Sequence, residues 1–419
     1  MVPPENSYTD PASPGRDDAD SADNFVTDDL RPEEVTPEDI AQGHDIQGLK
    51  WSEIQRSRTY YRDQRIVEYR NYKNLDIPYD RVEEEIARVR TDGQFYKFRY
   101  TRLSQVCTIV HFQLRNLIWA TSKNDVYYIH NSSVRHWCPL SKRARSVLKV
   151  HSHIRISTMC AKMNYLIAGG YQGEFVLRSL NEGSAEKSGA VSPNRSNGIT
   201  NHIDIVESRS GVHEAIISSN DEFGRVMNLD RGEIVQAFRF DWALNCSARS
   251  PDQKRLCVVG DVKDSLIVDS QTGQTLETLT GHIDYSFACA WSPCGRFVVT
   301  GNQDCTARLY DTRNLQSTLA TFSANLGAVR SLRFSDDGQF LAMAESADFV
   351  HLFDLRSHCA ESDYRSQVID FFGEIGGVCF TPGDAEGLFI GVAAQQSEPG
   401  SIIEFERRRP SLLSSLSDL

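Results

Sequence analysis

The sequence is short of the features that mark catalysis, metal binding and membrane insertion. None of its ten cysteines stands in a C-x-x-C pair, so neither the usual zinc-ligand spacing nor a dithiol redox motif is present. There is no H-E-x-x-H and no Ser nucleophile elbow. No Gly-rich phosphate loop follows a strand either, and Gly169-Gly170 and Gly376-Gly377 read as strand and turn glycines. No apolar run approaches the ~18 residues that a membrane-spanning helix needs, and the N-terminus lacks a charged-then-apolar leader pattern. His151-Ser152-His153 would put two imidazoles on one face of a strand, but no further ligand cluster lies near them in sequence. Together these absences argue against an enzyme, and no catalytic residue, metal or cofactor is expected.

Over most of the chain positive and negative charges balance, so a net charge of either sign is lacking there. The net charge is −12, but residues 1–45 hold thirteen Asp/Glu against two Arg, which leaves the other 374 residues at −1. A generally basic nucleic-acid-binding domain is therefore not expected. The acidic stretch is rich in Pro, Asp, Ser and Glu and has almost no periodic apolar residues. It reads as a disordered tail, unable to bury enough surface to offset its ordering entropy. The cysteines at 107, 160, 246, 257, 289 and 379 sit inside strand-like runs, as expected for buried thiols in a reducing compartment. The expected location is cytoplasmic and/or nuclear.

What is present begins with residues 46–93, a helical extension. Residues 50–75 carry seven Lys/Arg against three acidic residues, with a broken aromatic stripe of Trp51, Tyr61, Tyr69 and Tyr72. A helix of five or six turns is expected there, either packed on the rest of the protein through its aromatics or offered to a partner. After Pro78, the Asp80–Glu83 spacing resembles a capping box that opens a second helix. From 94 onward the pattern is β. An isolated strand at 94–101 is followed by seven triplets of short apolar runs separated by turn residues, ending near 407, and residues 408–419 read as a polar tail.

The clearest triplet is Gly281 to Asp311, GHIDYSFACAWSPCGRFVVTGNQDCTARLYD, preceded by the alternating run 273–279. It resembles a WD40 repeat, one blade of a β-propeller. Signatures weaken on either side. Asn325 stands where a His is expected, the turn after it carries Glu345 and Asp348 at altered spacing, Val268-Asp269 replaces Trp-Asp, and the first three triplets lack Gly-His. The runs at 69–75, 109–139 and 347–354 resemble a largely uncharacterised group of WD-repeat proteins of fungi and plants. That likeness implies a fold and no particular activity. The expected fold is thus all-β, a seven-bladed WD40 β-propeller over 94–407, closed by pairing 94–101 with the open edge of the last triplet.

The resemblance also implies particular residues. His282, Thr300, Asp304 and Tyr310 match the buried hydrogen-bonded tetrad of the repeat, which makes them structural rather than acid–base groups. Partners of such propellers dock on the face carrying the Gly-His turns, where Trp242, Tyr285 and Asn302 are expected. The function implied is a non-catalytic scaffold for a protein or peptide. The alternatives are nucleic-acid or anionic-surface binding through 50–75, and an enzyme or small-molecule binder using the central channel. Ser411, after Arg407-Arg408-Arg409-Pro410, resembles a basophilic kinase site.

Overall fold

The structure, a computed structural model, describes residues 33–149, 154–181, 183–356, 364–394 and 400–409. The acidic tail over 1–32, the pair His151 and His153, and Ser411 lie outside these. Five four-stranded antiparallel sheets, each with its strands in chain order, cover 118–149, 156–190, 200–239, 244–279 and 286–323. A nine-stranded sheet contains the rest. The 17-residue strand Tyr364–Phe380 runs through its middle, pairing first with Ala347–Asp354 and then with Gly387–Val392. It thereby joins two further four-stranded groups.

Turn chemistry explains why these runs form hairpins. In two neighbouring sheets the same turn recurs: Gly295 and Gly338 sit at φ +72° and +68°, a region that only glycine occupies without cost. The Ser292 and Ser335 hydroxyls accept from the amides of Phe297 and Phe340, both at 2.9 Å, and so start the next strand in each case. The first strands of successive groups touch one another: Ile118–Ser122, Ile156–Lys162, Thr200–Glu207, Leu244–Arg249, Ser286–Trp291, Val329–Phe334 and then Tyr364–Phe380. The last of these touches the first again, so the contacts close a cycle. The apolar side chains of adjacent sheets fill the space between them, as where Cys246, Val259 and Ile267 meet Cys289, Trp291 and Tyr310.

The strand expected at 94–101 runs over Tyr96–Arg102 and pairs antiparallel with Ser401–Arg407. Its other edge is taken by Glu34–Val35, so no long row of unpaired amides is left there.

The N-terminal region differs from expectation in three ways. Residues 33–45, expected in the disordered tail, form the strand Glu34–Val35 and the helix Pro37–Ala41, whose Thr36 amide and hydroxyl both donate to the Asp39 carboxylate at 2.8 Å. Val35 is completely buried, an apolar contact that composition averaged over the tail conceals. The long helix expected over 50–75 is only Arg58–Glu68, capped by Ser57, after a single 3-10 turn at Trp51–Glu53. From Tyr69 the chain runs extended because its side chains and backbone bind the loops beneath. Finally, Asp80–Glu83 is one turn with Tyr79, not Asp80, at the N-cap.

Candidate functional site

In the sheet 286–323 the buried polar network centres on Asp304. Oδ2 accepts from His282 Nδ1 at 2.9 Å and from the Ile283 amide at 3.2 Å. Oδ1 accepts from the Thr306 amide at 3.0 Å and the Thr306 hydroxyl at 2.6 Å. The far ring nitrogen of His282 meets Thr300 Oγ1 at 2.9 Å. Burial alone would raise the Asp304 pKa. The His282 ring, then the Thr306 hydroxyl and the Ile283 amide, outweigh it and hold the carboxyl below its ordinary value. Every lone-pair direction of this carboxylate is occupied, which is what a structural brace needs. The fourth expected member, Tyr310, is buried but donates its hydroxyl to the Thr280 carbonyl at 3.0 Å. Thr306, which sequence reasoning missed, adds two donors to Asp304.

The neighbouring unit solves the same problem with different residues. Glu345, fully buried, accepts from the amides of Asn325, Leu326 and Gly327 at 2.7–2.8 Å and from His351 Nε2 at 2.7 Å. Its longer side chain does for this turn what Asp304 does for the last. Asp348 is thereby left to bind elsewhere. It is also fully buried, and it receives Arg62 Nη1 at 2.5 Å, Arg65 Nε at 2.9 Å and the Gly373 amide at 2.8 Å. Beside it Asp370 takes both Arg58 nitrogens at 2.8–2.9 Å and Arg62 Nη2 at 2.6 Å. The Arg62 guanidinium lies over the rings of Phe372 and Phe349, 4.1 and 4.5 Å from their centroids.

Arginines at 58, 62 and 65 share one face of a helix, so this helix docks by its charged side. Its other side carries Tyr60 and Val67 outward, Val67 being 79% exposed, and Ile66 is exposed on the flank. Beyond it the chain crosses the loops as a strap. Tyr69 bonds the Ser346 hydroxyl, Asn71 Nδ2 donates to the Gln303 carbonyl at 2.7 Å while Gln303 Nε2 donates to Asn71 Oδ1 and the Tyr72 carbonyl at 2.6 and 2.9 Å, and Asn74 donates twice to Asp284 at 2.9–3.0 Å. The loops covered are those around 284, 303 and 346, on the side of the sheets that carries the Gly281-His282 turn.

Residues 273–311 and 316–354 match the family described as WD domain, G-beta repeat. The chain carries WD40 repeats. Over 270 residues, 61% of the chain, it is 27% identical to an uncharacterised protein of Schizosaccharomyces pombe, of which 76% is covered. Over 113 residues, 27% of the chain, it is 31% identical to pre-mRNA-processing factor 19 homolog 2 of Arabidopsis thaliana, of which it spans only 19%. A chain in a crystal structure of a mitotic checkpoint complex superposes with a TM-score of 0.60, covering 81% of this chain and 98% of that one at 16% identity. This last likeness bears on fold alone. The architecture is that of a β-propeller carrying WD40 repeats over 273–311 and 316–354.

On the WD40 face the residues expected as anchors are placed unequally. Asn302 is fully buried, donating to the Asp284 carbonyl at 2.6 Å and Ser286 Oγ at 2.8 Å while accepting from the Asp304 amide. It cannot meet a partner, because the turn consumes its whole amide. Trp242 and Tyr285 are each half-buried, Trp242 against Phe240 at a ring separation of 5.6 Å. Among the described residues no group of three or more His, Cys, Asp or Glu is arranged to hold a metal ion, and no helix is long and apolar enough to cross a membrane. Asp284, Gln303, Asp348 and Asp370 hold the strap, a role that sequence reasoning missed. The signals were the Arg58, Arg62, Arg65 spacing and the altered spacing of Glu345 and Asp348, neither legible as a docking face.

Proposed function

We propose that this protein is a non-catalytic scaffold, a seven-bladed ring that docks a protein or peptide partner on the face carrying the Gly-His turn, with its own strap forming part of the docking surface. The observation that carries this reading is the inverted helix Arg58–Glu68. Its cations point inward to Asp348 and Asp370, and Tyr60, Ile66 and Val67 point to solvent. An apolar patch held rigidly on a surface marks an interaction site more often than chance exposure does. Phe112, also exposed and 5.7 Å from Tyr72, extends apolar surface along the strap. Half-buried Trp242 and Tyr285 are the anchors that the ring itself would supply.

Nucleic-acid binding through the basic segment is the weaker reading. Arg58, Arg62 and Arg65 already neutralise two carboxylates of the ring, so few cations remain there for phosphates. The plant relative's printed name, a pre-mRNA-processing factor, is compatible with a partner-binding role.

Affinity purification from the native cell, using the intact protein beside Tyr60→Asp/Val67→Asp and Trp242→Ala/Tyr285→Ala, tests this. Partners lost only with the first pair belong to the strap, and partners lost only with the second belong to the ring. Full recovery from both variants, at unchanged melting temperature, removes this face from consideration.

A further inference from the structure

Between strap residues 69–72 and the loop 106–112 lies a cavity of about 710 Å³, within the 300–1,000 Å³ range typical of small-molecule sites. Arg330, on the strand Val329–Phe334, lines it and is only 4% exposed. Such a buried cation ordinarily faces a carboxylate. Arg330 does not. Its Nη2 donates to the Tyr72 hydroxyl at 3.0 Å and Gln303 Oε1 at 2.5 Å, and its guanidinium lies 3.9 Å from the Phe287 ring centroid. Nε and Nη1 have no partner among the described residues, and neither has Nε of Arg115.

Arg115 lines the same cavity. Its Nη2 reaches Glu374 at 2.7 Å, the one carboxylate in the lining. Both arginines also border a small neighbouring pocket of about 20 Å³ together with Arg333, and no Asp or Glu lines that pocket among the described residues. The local charge is therefore positive and undercompensated, in a chain whose net charge is negative. Ile109 and Val110 supply an apolar wall, and Tyr72 and Phe112 an aromatic one.

We propose that this cavity binds a small phosphorylated organic molecule, its phosphate held by Arg330 and Arg115 and its organic part lying against the wall of Ile109, Tyr72 and Phe112. A phosphate monoester brings three strong acceptor oxygens and a charge of about −1.5 to −2. Four N–H groups on three enclosed guanidinium nitrogens are unused, and once the two side chains turn toward the cavity they and the two like charges match that anion better than a single carboxylate does. The proposal is independent of whether a protein docks on the face above.

The full chain is titrated at constant ionic strength with inorganic phosphate, adenosine monophosphate and glucose 6-phosphate, with adenosine, glucose and chloride as controls, following the melting temperature. A phosphate-bearing probe should raise the melting temperature by several degrees at a large excess over its Kd, and the unphosphorylated controls should not. A rise with inorganic phosphate equal to that with the esters would assign the site to the free anion, and a larger rise with an ester would assign it to the organic molecule. Arg330→Met should abolish the response while leaving the ligand-free protein as stable as before or more so, since it removes a buried uncompensated charge. Ala394→Trp, which fills the cavity from an exposed position and keeps Arg330, should abolish it too. No response with any phosphate-bearing probe, or an unchanged response in both variants, overturns the proposal.

Discussion

Arg62 Nη1 and Asp348 Oδ2 meet at 2.5 Å across 286 residues of sequence, and the carboxylate has no exposed surface. This contact ties the N-terminal strap to the ring. It exists because Glu345 has taken over the turn-bracing role that Asp304 fills in the preceding repeat. What reads as decay of the repeat pattern is the attachment point of the strap.

Removing Asp348 tests that attachment. Asp348→Ala leaves Arg65 without its carboxylate and Arg62 with only Asp370, in a site where a buried charge loses its partner. The expected cost is about 3 kcal/mol. Hydrogen exchange should quicken over 58–74 well before the sheets open. Exchange that changes uniformly over the whole chain would show that the strap is not separately held.

Asp304→Ala should destabilise the chain by about 1–3 kcal/mol, since His282, Thr306 and the Ile283 amide lose a buried acceptor. The pH dependence has a definite sign. The folded carboxyl lies below its ordinary value of 3.8, so its contribution is complete above that value. It is lost as pH falls through the folded pKa. Wild type should therefore lose more stability than Asp304→Ala between about pH 4 and pH 2 in chemical denaturation, and parallel curves would contradict the assignment.

Edge pairing gives a third expectation. A chain beginning at Thr91 keeps Tyr96–Arg102 beside Ser401–Arg407, whereas one beginning at Leu103 does not; both lack Glu34–Val35 and the strap, so the difference between them isolates the closing strand. The longer chain should melt cooperatively. The shorter should aggregate or lose its transition. Equal melting of the two would remove the strand from any closing role.

His111 reports on the cavity directly. Burial, then the nearby Arg115, Arg330 and Arg155, push its pKa down to about 4 from 6.5. The folded protein therefore disfavours the charged ring, and stability tied to it is lost as pH falls from about 6.5 towards 4. Its NMR titration midpoint should lie near 4 in wild type and move upward in Arg330→Met, where one repelling charge is gone. A midpoint near 6.5 in wild type would mean that the ring is solvated and the charges are not close.

The sequence by itself determined the repeating sheets. Strands of five to eight residues set off by turns such as Ser292–Gly295 and Ser335–Gly338 are local signals, written in hydrophobic period and in glycine positions. His282, Thr300 and Asp304 were expected from the resemblance to the WD40 repeat, and one hairpin with the turn before it brings them together. Only the tertiary structure decided what residues 33–93 do. A basic aromatic stretch scores as one long helix when read alone, but its arginines find carboxylates some 280 to 310 residues away, and Asn71 and Asn74 bind turns more than 200 residues distant. Asn302 went the same way, an apparently exposed turn residue whose amide the fold consumes. Buried charge behaves alike. Nothing local distinguishes Arg330 from any strand arginine, because its lack of a carboxylate is set by which strands and which strap close around it.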